Sequence, residues 1–126
     1  MTAGPAAPAM TVPVTIWHNP KCATSRHVLS LIRAAGIEPE IVDYVKTPPS
    51  AAAIRAALAA MAMKPRDLLR RRGTPYDELG LGDPALSDAA LIAAMHAHPI
   101  LIERPVVISR KGTRLCRPAG RVQDLL

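Results

Sequence analysis

A chain of 126 residues with 49% hydrophobic content has the size of one domain with one modest core. Lys, Arg, Asp and Pro interrupt every apolar run before it reaches membrane-spanning length, and Trp17, Tyr44 and Tyr76 as sole aromatics leave no platform for base stacking. The net charge of +6 suits anionic partners in general, without separating nucleic acid from small oxyanions.

Residues 1–12 are rich in Ala and Pro and lack both a basic n-region and an apolar h-region, so they read as a flexible arm rather than a signal peptide. Val14-Thr15-Ile16-Trp17 reads as a strand, stopped by turn chemistry at His18-Asn19-Pro20-Lys21. Val28, Leu29, Leu31 and Ile32 then recur at helical spacing, with Gly36 placed for a left-handed cap, and Glu40 to Val45 reads as a second strand. Together these form a βαβ unit with parallel strands. Ser50 is positioned to cap a helix carrying Ile54, Leu58 and Met61. Pro65 and Gly73 bracket a short helix holding Leu68, Leu69 and Arg70, and a further helix runs from near Ser87 to just before Pro99. Pro105 to Ile108 and Thr113 to Cys116 read as a hairpin turning through Lys111-Gly112, and Pro118 and Gly120 introduce a last short helix. The order βαβ, helices, ββα predicts an α/β thioredoxin-like mixed sheet: a single domain over residues 13–126 with a helical insertion at about 48–98.

Two distant cysteines do not make the disulfide framework of a small secreted protein, so a cytoplasmic location is expected. A lone cysteine is often just a small buried hydrophobe, and Cys116 in its apolar context fits that reading. Cys22 differs: it stands where a strand ends and a helix begins, and free N–H groups with the helix dipole favour a thiolate there. Lys21 and Arg26 bring positive charge nearby, and Ser25, three residues on, can turn its hydroxyl towards the sulfur. In Cys22-Ala23-Thr24-Ser25 a hydroxyl takes the place of the second sulfur of a C-x-x-C pair, so disulfide chemistry at Cys22 calls for an external thiol.

The run His18-Asn19-Pro20-Lys21-Cys22-Ala23-Thr24-Ser25-Arg26 resembles the H-N-P-x-C-x-T-S-R signature of the glutaredoxin-coupled arsenate reductases. The likeness continues in register through Thr47-Pro48-Pro49, Leu68-Leu69-Arg70, the segment from Pro75 to Leu81, that from His98 to Pro105, and that from Gly112 to Pro118. This resemblance implies that Cys22 is the catalytic thiol, that His18 and Ser25 help set its ionisation, that Arg70, Arg104 and Arg117 bind the oxyanion, and that the bond before Pro105 is cis. It also implies arsenate as substrate, glutathione as co-substrate, glutaredoxin as partner and no bound cofactor. Guanidinium forks suit a tetrahedral oxyanion because they bind it bidentately and neutralise charge that would repel a thiolate.

Arg71, Arg72, Arg110 and Arg121 read as solvated charges, and the run Arg70-Arg71-Arg72 alone does not make a nucleic-acid site. His18 by itself could orient the loop, donate a proton or simply satisfy a turn. His27, His96 and His98 form no metal set with the cysteines, so no metal is expected. The chain is expected to act as a monomer, without nucleic acid or membrane. Two rival readings are a reductase of glutathione mixed disulfides and a redox-sensing regulator that binds RNA polymerase. Regulators of that kind often use a C-x-x-C switch, which Ser25 breaks.

Overall fold

The computed structural model describes residues 13–126; the expected N-terminal arm, residues 1–12, lies outside them. Four strands form a mixed sheet in the order β2-β1-β3-β4, where β1 is Val14–His18, β2 Glu40–Asp43, β3 Val106–Ser109 and β4 Gly112–Leu115. β1 and β3 are antiparallel, with Val14 opposite Ser109 and Trp17 opposite Val106, and β3 and β4 are antiparallel with Val106 opposite Leu115. The chain separates into two compact units, one running up to Val42 and resuming at Arg104–Leu126, the other Asp43–Glu103.

The first unit is organised around one face of the sheet. Alternation along β1 puts Val14 and Ile16 on the same side, where they meet Val28 and Ile32 of α1 (Ala23–Ala34), Val107 of β3, and Val122 and Leu125 of a C-terminal 3-10 helix, Ala119–Leu125. Burying each such aliphatic side chain is worth about 1.5–3 kcal/mol, so this face anchors the first half of the strand that leads to Cys22. Gly36, at φ +83°, ends α1 in the left-handed region, as its position in the sequence suggests.

Cys116 belongs to this core, as expected, but sits just beyond β4 with its N–H donating to the Pro105 carbonyl at 2.9 Å. The hairpin turns through Arg110-Lys111, because Gly112 already pairs with Ser109; the expected turn through Lys111-Gly112 lies one residue too late.

The second unit holds α2 (Ala51–Met61), α3 (Pro65–Leu68) and α4 (Asp88–Ala97). Ser50 and Ser87 cap α2 and α4 by accepting from the N–H groups of Ala53 and Ala90. Ile54, Leu58, Leu68, Leu91, Ile92, Met95 and Leu101 are buried. The helix expected to hold Leu68, Leu69 and Arg70 stops after one turn. Leu69 instead pairs with Ile102, the Arg70 N–H donates to the Leu101 carbonyl at 2.7 Å, and the Glu103 N–H donates to the Leu68 carbonyl at 2.8 Å. The backbone groups that would have continued the helix are satisfied by this extended pairing. β2 is also shorter than expected: Tyr44 leaves the ladder, is fully buried, and its hydroxyl donates to the Ile102 carbonyl. Among the described residues no helix is long and apolar enough to cross a membrane.

Candidate active site

Cys22 is the N-cap of α1, half-buried, with φ −97° and ψ 122°. No acidic residue occupies the first turn of that helix, so no carboxylate competes for its positive end. The sulfur makes no full capping hydrogen bond. Burial is the largest influence on the thiol and pushes its pKa up. The Ser25 N–H, the hydrogen bond and charge of Arg104 and the Thr24 N–H act together against it, and the net effect is a pKa below the ordinary value of 9.0.

Arg104 is half-buried at the start of the returning segment, and the bonds joining it to Pro105 and Arg117 to Pro118 are both cis. Its Nε and Nη1 are buried without a hydrogen-bond partner in the protein. Buried guanidinium donors are costly to leave unpaired, so these two have hydrogen-bonding capacity to spare beside a thiol disposed to ionise. Arg117 is committed differently: its Nη1 stands 3.9 Å from Cys22 Sγ and also donates to the Arg104 carbonyl at 3.0 Å. It therefore ties down the backbone of the residue whose side chain has donors to offer.

The loop before α1 is held from inside. Ser25 is fully buried, and its hydroxyl lies 2.7 Å from His18 Nδ1 and accepts from the Asn19 N–H at 3.0 Å. The hydroxyl thus turns to His18 and the Asn19 N–H and not to the sulfur, so the Ser25 side chain braces the loop, and the influence of Ser25 on the thiol's pKa is that of its main-chain N–H. His18 ends β1 as the hydrogen-bonding partner of that hydroxyl.

Lys21 and Arg26 are exposed, Arg26 donating to the Pro20 carbonyl at 2.9 Å; the side-chain charge that favours the thiolate is that of Arg104 instead. Asn19, not singled out in the sequence, is 5% exposed and holds Lys21 N–H on its Oδ1 at 2.9 Å. An Asn-Pro pair before a helix start is the signal that could have marked it.

The structure thus brings Cys22, Arg104 and Arg117 together, with His18 and Ser25 behind the loop. Arg70 belongs to the second unit, where its Nη1 pairs with Glu103 Oε1 at 2.8 Å and its Nε donates to the Arg72 carbonyl. Arg71 pairs with Asp77 and lies over the Tyr76 ring. Cys116 is a free thiol whose pKa burial raises to about 11, as befits a core residue. Among the described residues no three His, Cys, Asp or Glu side chains gather as a metal site.

The sequence model of the ArsC family matches residues 17–125. The chain belongs to the ArsC family. An arsenate reductase of Rhizobium meliloti is 56% identical over 113 residues, which are 90% of this chain and 81% of that protein. One of Escherichia coli is 48% identical over 113 residues, covering 90% and 80%. The solved structure titled arsenate reductase from Vibrio cholerae superposes with a TM-score of 0.86 at 41% identity, over 90% of this chain and 97% of that one. As an ArsC-family member the chain has the thioredoxin-like fold expected from its element order.

Proposed function

We propose that this ArsC-family chain reduces arsenate to arsenite, with Cys22 as nucleophile. The observation that carries the reading is the pair of buried, unpartnered donors on Arg104 next to a thiol whose pKa is lowered. Arsenate is a tetrahedral oxyanion; Arg104 offers it guanidinium donors and charge, and Arg117 adds positive charge beside the sulfur. The Cys22 thiolate attacks arsenic, a sulfur–arsenic bond forms, and one arsenate oxygen departs as water after taking up protons. Arg104 and Arg117 neutralise charge as the thiolate approaches.

In the second half-reaction glutathione acts as co-substrate. Its thiolate attacks the Cys22 sulfur, the electron pair of the sulfur–arsenic bond leaves with arsenic, and arsenite is released in the trivalent state. The mixed disulfide left on Cys22 is then cleared by glutaredoxin, because Ser25 supplies no second thiol and Cys116 is held protonated in the core. His18 and Ser25 serve by bracing the loop. The protein works as a cytoplasmic monomer and requires no bound cofactor.

The test is arsenate-dependent NADPH oxidation coupled through glutathione reductase, glutathione and glutaredoxin, with a glutathionylated peptide as the competing substrate. Arsenate turnover that disappears in Cys22→Ser is expected. Retained turnover in that variant refutes the mechanism, and activity on the peptide alone assigns the thiol to mixed disulfides. Because Ser is among the best N-cap residues, Cys22→Ser should keep the fold intact, which circular dichroism checks.

A further inference from the structure

The turn between β1 and α1 depends on Asn19 in three ways. Its N–H donates to Ser25 Oγ at 3.0 Å, its carbonyl accepts from the Cys22 N–H at 3.0 Å, and its Oδ1 accepts from the Lys21 N–H at 2.9 Å. The first two bonds are main-chain bonds that any residue could make. The third needs an acceptor on a short side chain reaching the N–H two residues on, which Asn supplies and Ala cannot. Asn19 is buried beside Ser25 and His18, so water is a poor substitute for that acceptor.

We propose that Asn19 is a positioning residue for the thiolate: its amide oxygen fixes the Lys21 peptide, and with it the turn that sets Cys22 at the head of α1. Asn19 touches neither substrate nor sulfur through this contact and acts on the reaction only through Cys22. The inference rests on the reading of Cys22 as the working thiolate and adds to it the residue that sets its orientation.

The experiment compares Asn19→Ala and Asn19→Ser with the parent protein. Thiolate formation is followed by absorbance at 240 nm and by the pH dependence of Cys22 alkylation with iodoacetamide. Arsenate kinetics are measured in parallel. In Asn19→Ala the thiol should titrate at higher pH, lowering the thiolate fraction in mildly acidic buffer about tenfold, the change that a one-unit shift produces. The kcat should fall with it and recover at alkaline pH, while KM for arsenate stays within about twofold, the margin of a contact not made to the substrate. Asn19→Ser, which restores a short side-chain acceptor, should return close to the parent.

A parent-like titration in Asn19→Ala overturns the assignment, as does a kcat loss that neither high pH nor Ser rescues. Loss of fold in Asn19→Ala also overturns it, because the amide would then support the chain rather than the thiolate. An ordinary thiol titration in the parent protein would instead sink the reading of Cys22 itself, so the two failures are distinguishable.

Discussion

Replacing Arg104 by Leu keeps most of the apolar stem and removes the guanidinium. Two buried donors, Nε and Nη1, lack partners in the protein. A hydrogen bond to a charged group contributes about 1.5–3 kcal/mol, so losing one from the arsenate complex should cost about 1.5 kcal/mol or more in kcat/KM, over tenfold. The Cys22 thiol should titrate at higher pH in the same variant, because both the hydrogen bond and the charge of Arg104 favour its anion. Stability should move the other way. An unsatisfied buried donor costs about 1–3 kcal/mol, so removing the group should leave the unliganded protein at least as stable and up to about 1 kcal/mol more so, a few degrees in melting temperature. Steady-state kinetics, thiol titration and thermal melts without arsenate read the three effects separately. A kcat/KM within about threefold of the parent, or a loss of activity accompanied by a fall in melting temperature, would refute the view of Arg104 as a preformed anion receptor.

Ser25→Ala should destabilise the protein by about 2 kcal/mol in urea unfolding, since it strips a partner from two buried groups, the Asn19 N–H and His18 Nδ1; a loss below about 0.5 kcal/mol, the size of an ordinary surface effect, would show that the hydroxyl does not brace the loop. Cys116 titrates higher in the folded chain than the ordinary 9.0, at about 11. Its stabilising contribution is therefore complete below pH 9 and lost as pH rises through 11. Melting temperature should decline across that window, and less steeply in Cys116→Ala; equal slopes would contradict the burial account. At pH 8, brief iodoacetamide treatment of the native protein should modify Cys22 alone, and a doubly modified species in the mass spectrum would show that Cys116 is accessible.

Much of this was legible in the order of residues because it is local. The caps Ser50 and Ser87, the left-handed Gly36 and the helical spacing of Val28 and Ile32 need only their neighbours in sequence. The place of Cys22 at a helix head is likewise a strand–turn–helix signal. What escaped depended on partners far away or on direction. The one-turn α3 reflects pairing with Ile102, which takes Leu69 and Arg70 out of the helix. Positive charge was expected on the thiol from Lys21 and Arg26, its neighbours in sequence, whereas the guanidinium that acts on it is brought by another segment. The inward turn of the Ser25 hydroxyl was beyond reach for a different reason: spacing fixes which side of a helix a residue occupies, but not which of two nearby polar partners its hydroxyl selects.

The sulfur and one of its guanidinium neighbours are 95 residues apart in the chain. During synthesis Cys22 leaves the ribosome long before Arg104 and Arg117 exist, so the nascent thiol has neither of the guanidinium neighbours that the folded chain sets beside it. A polypeptide interrupted midway would carry a cysteine of muted reactivity, and chemical competence would arrive only with the last segment to be translated.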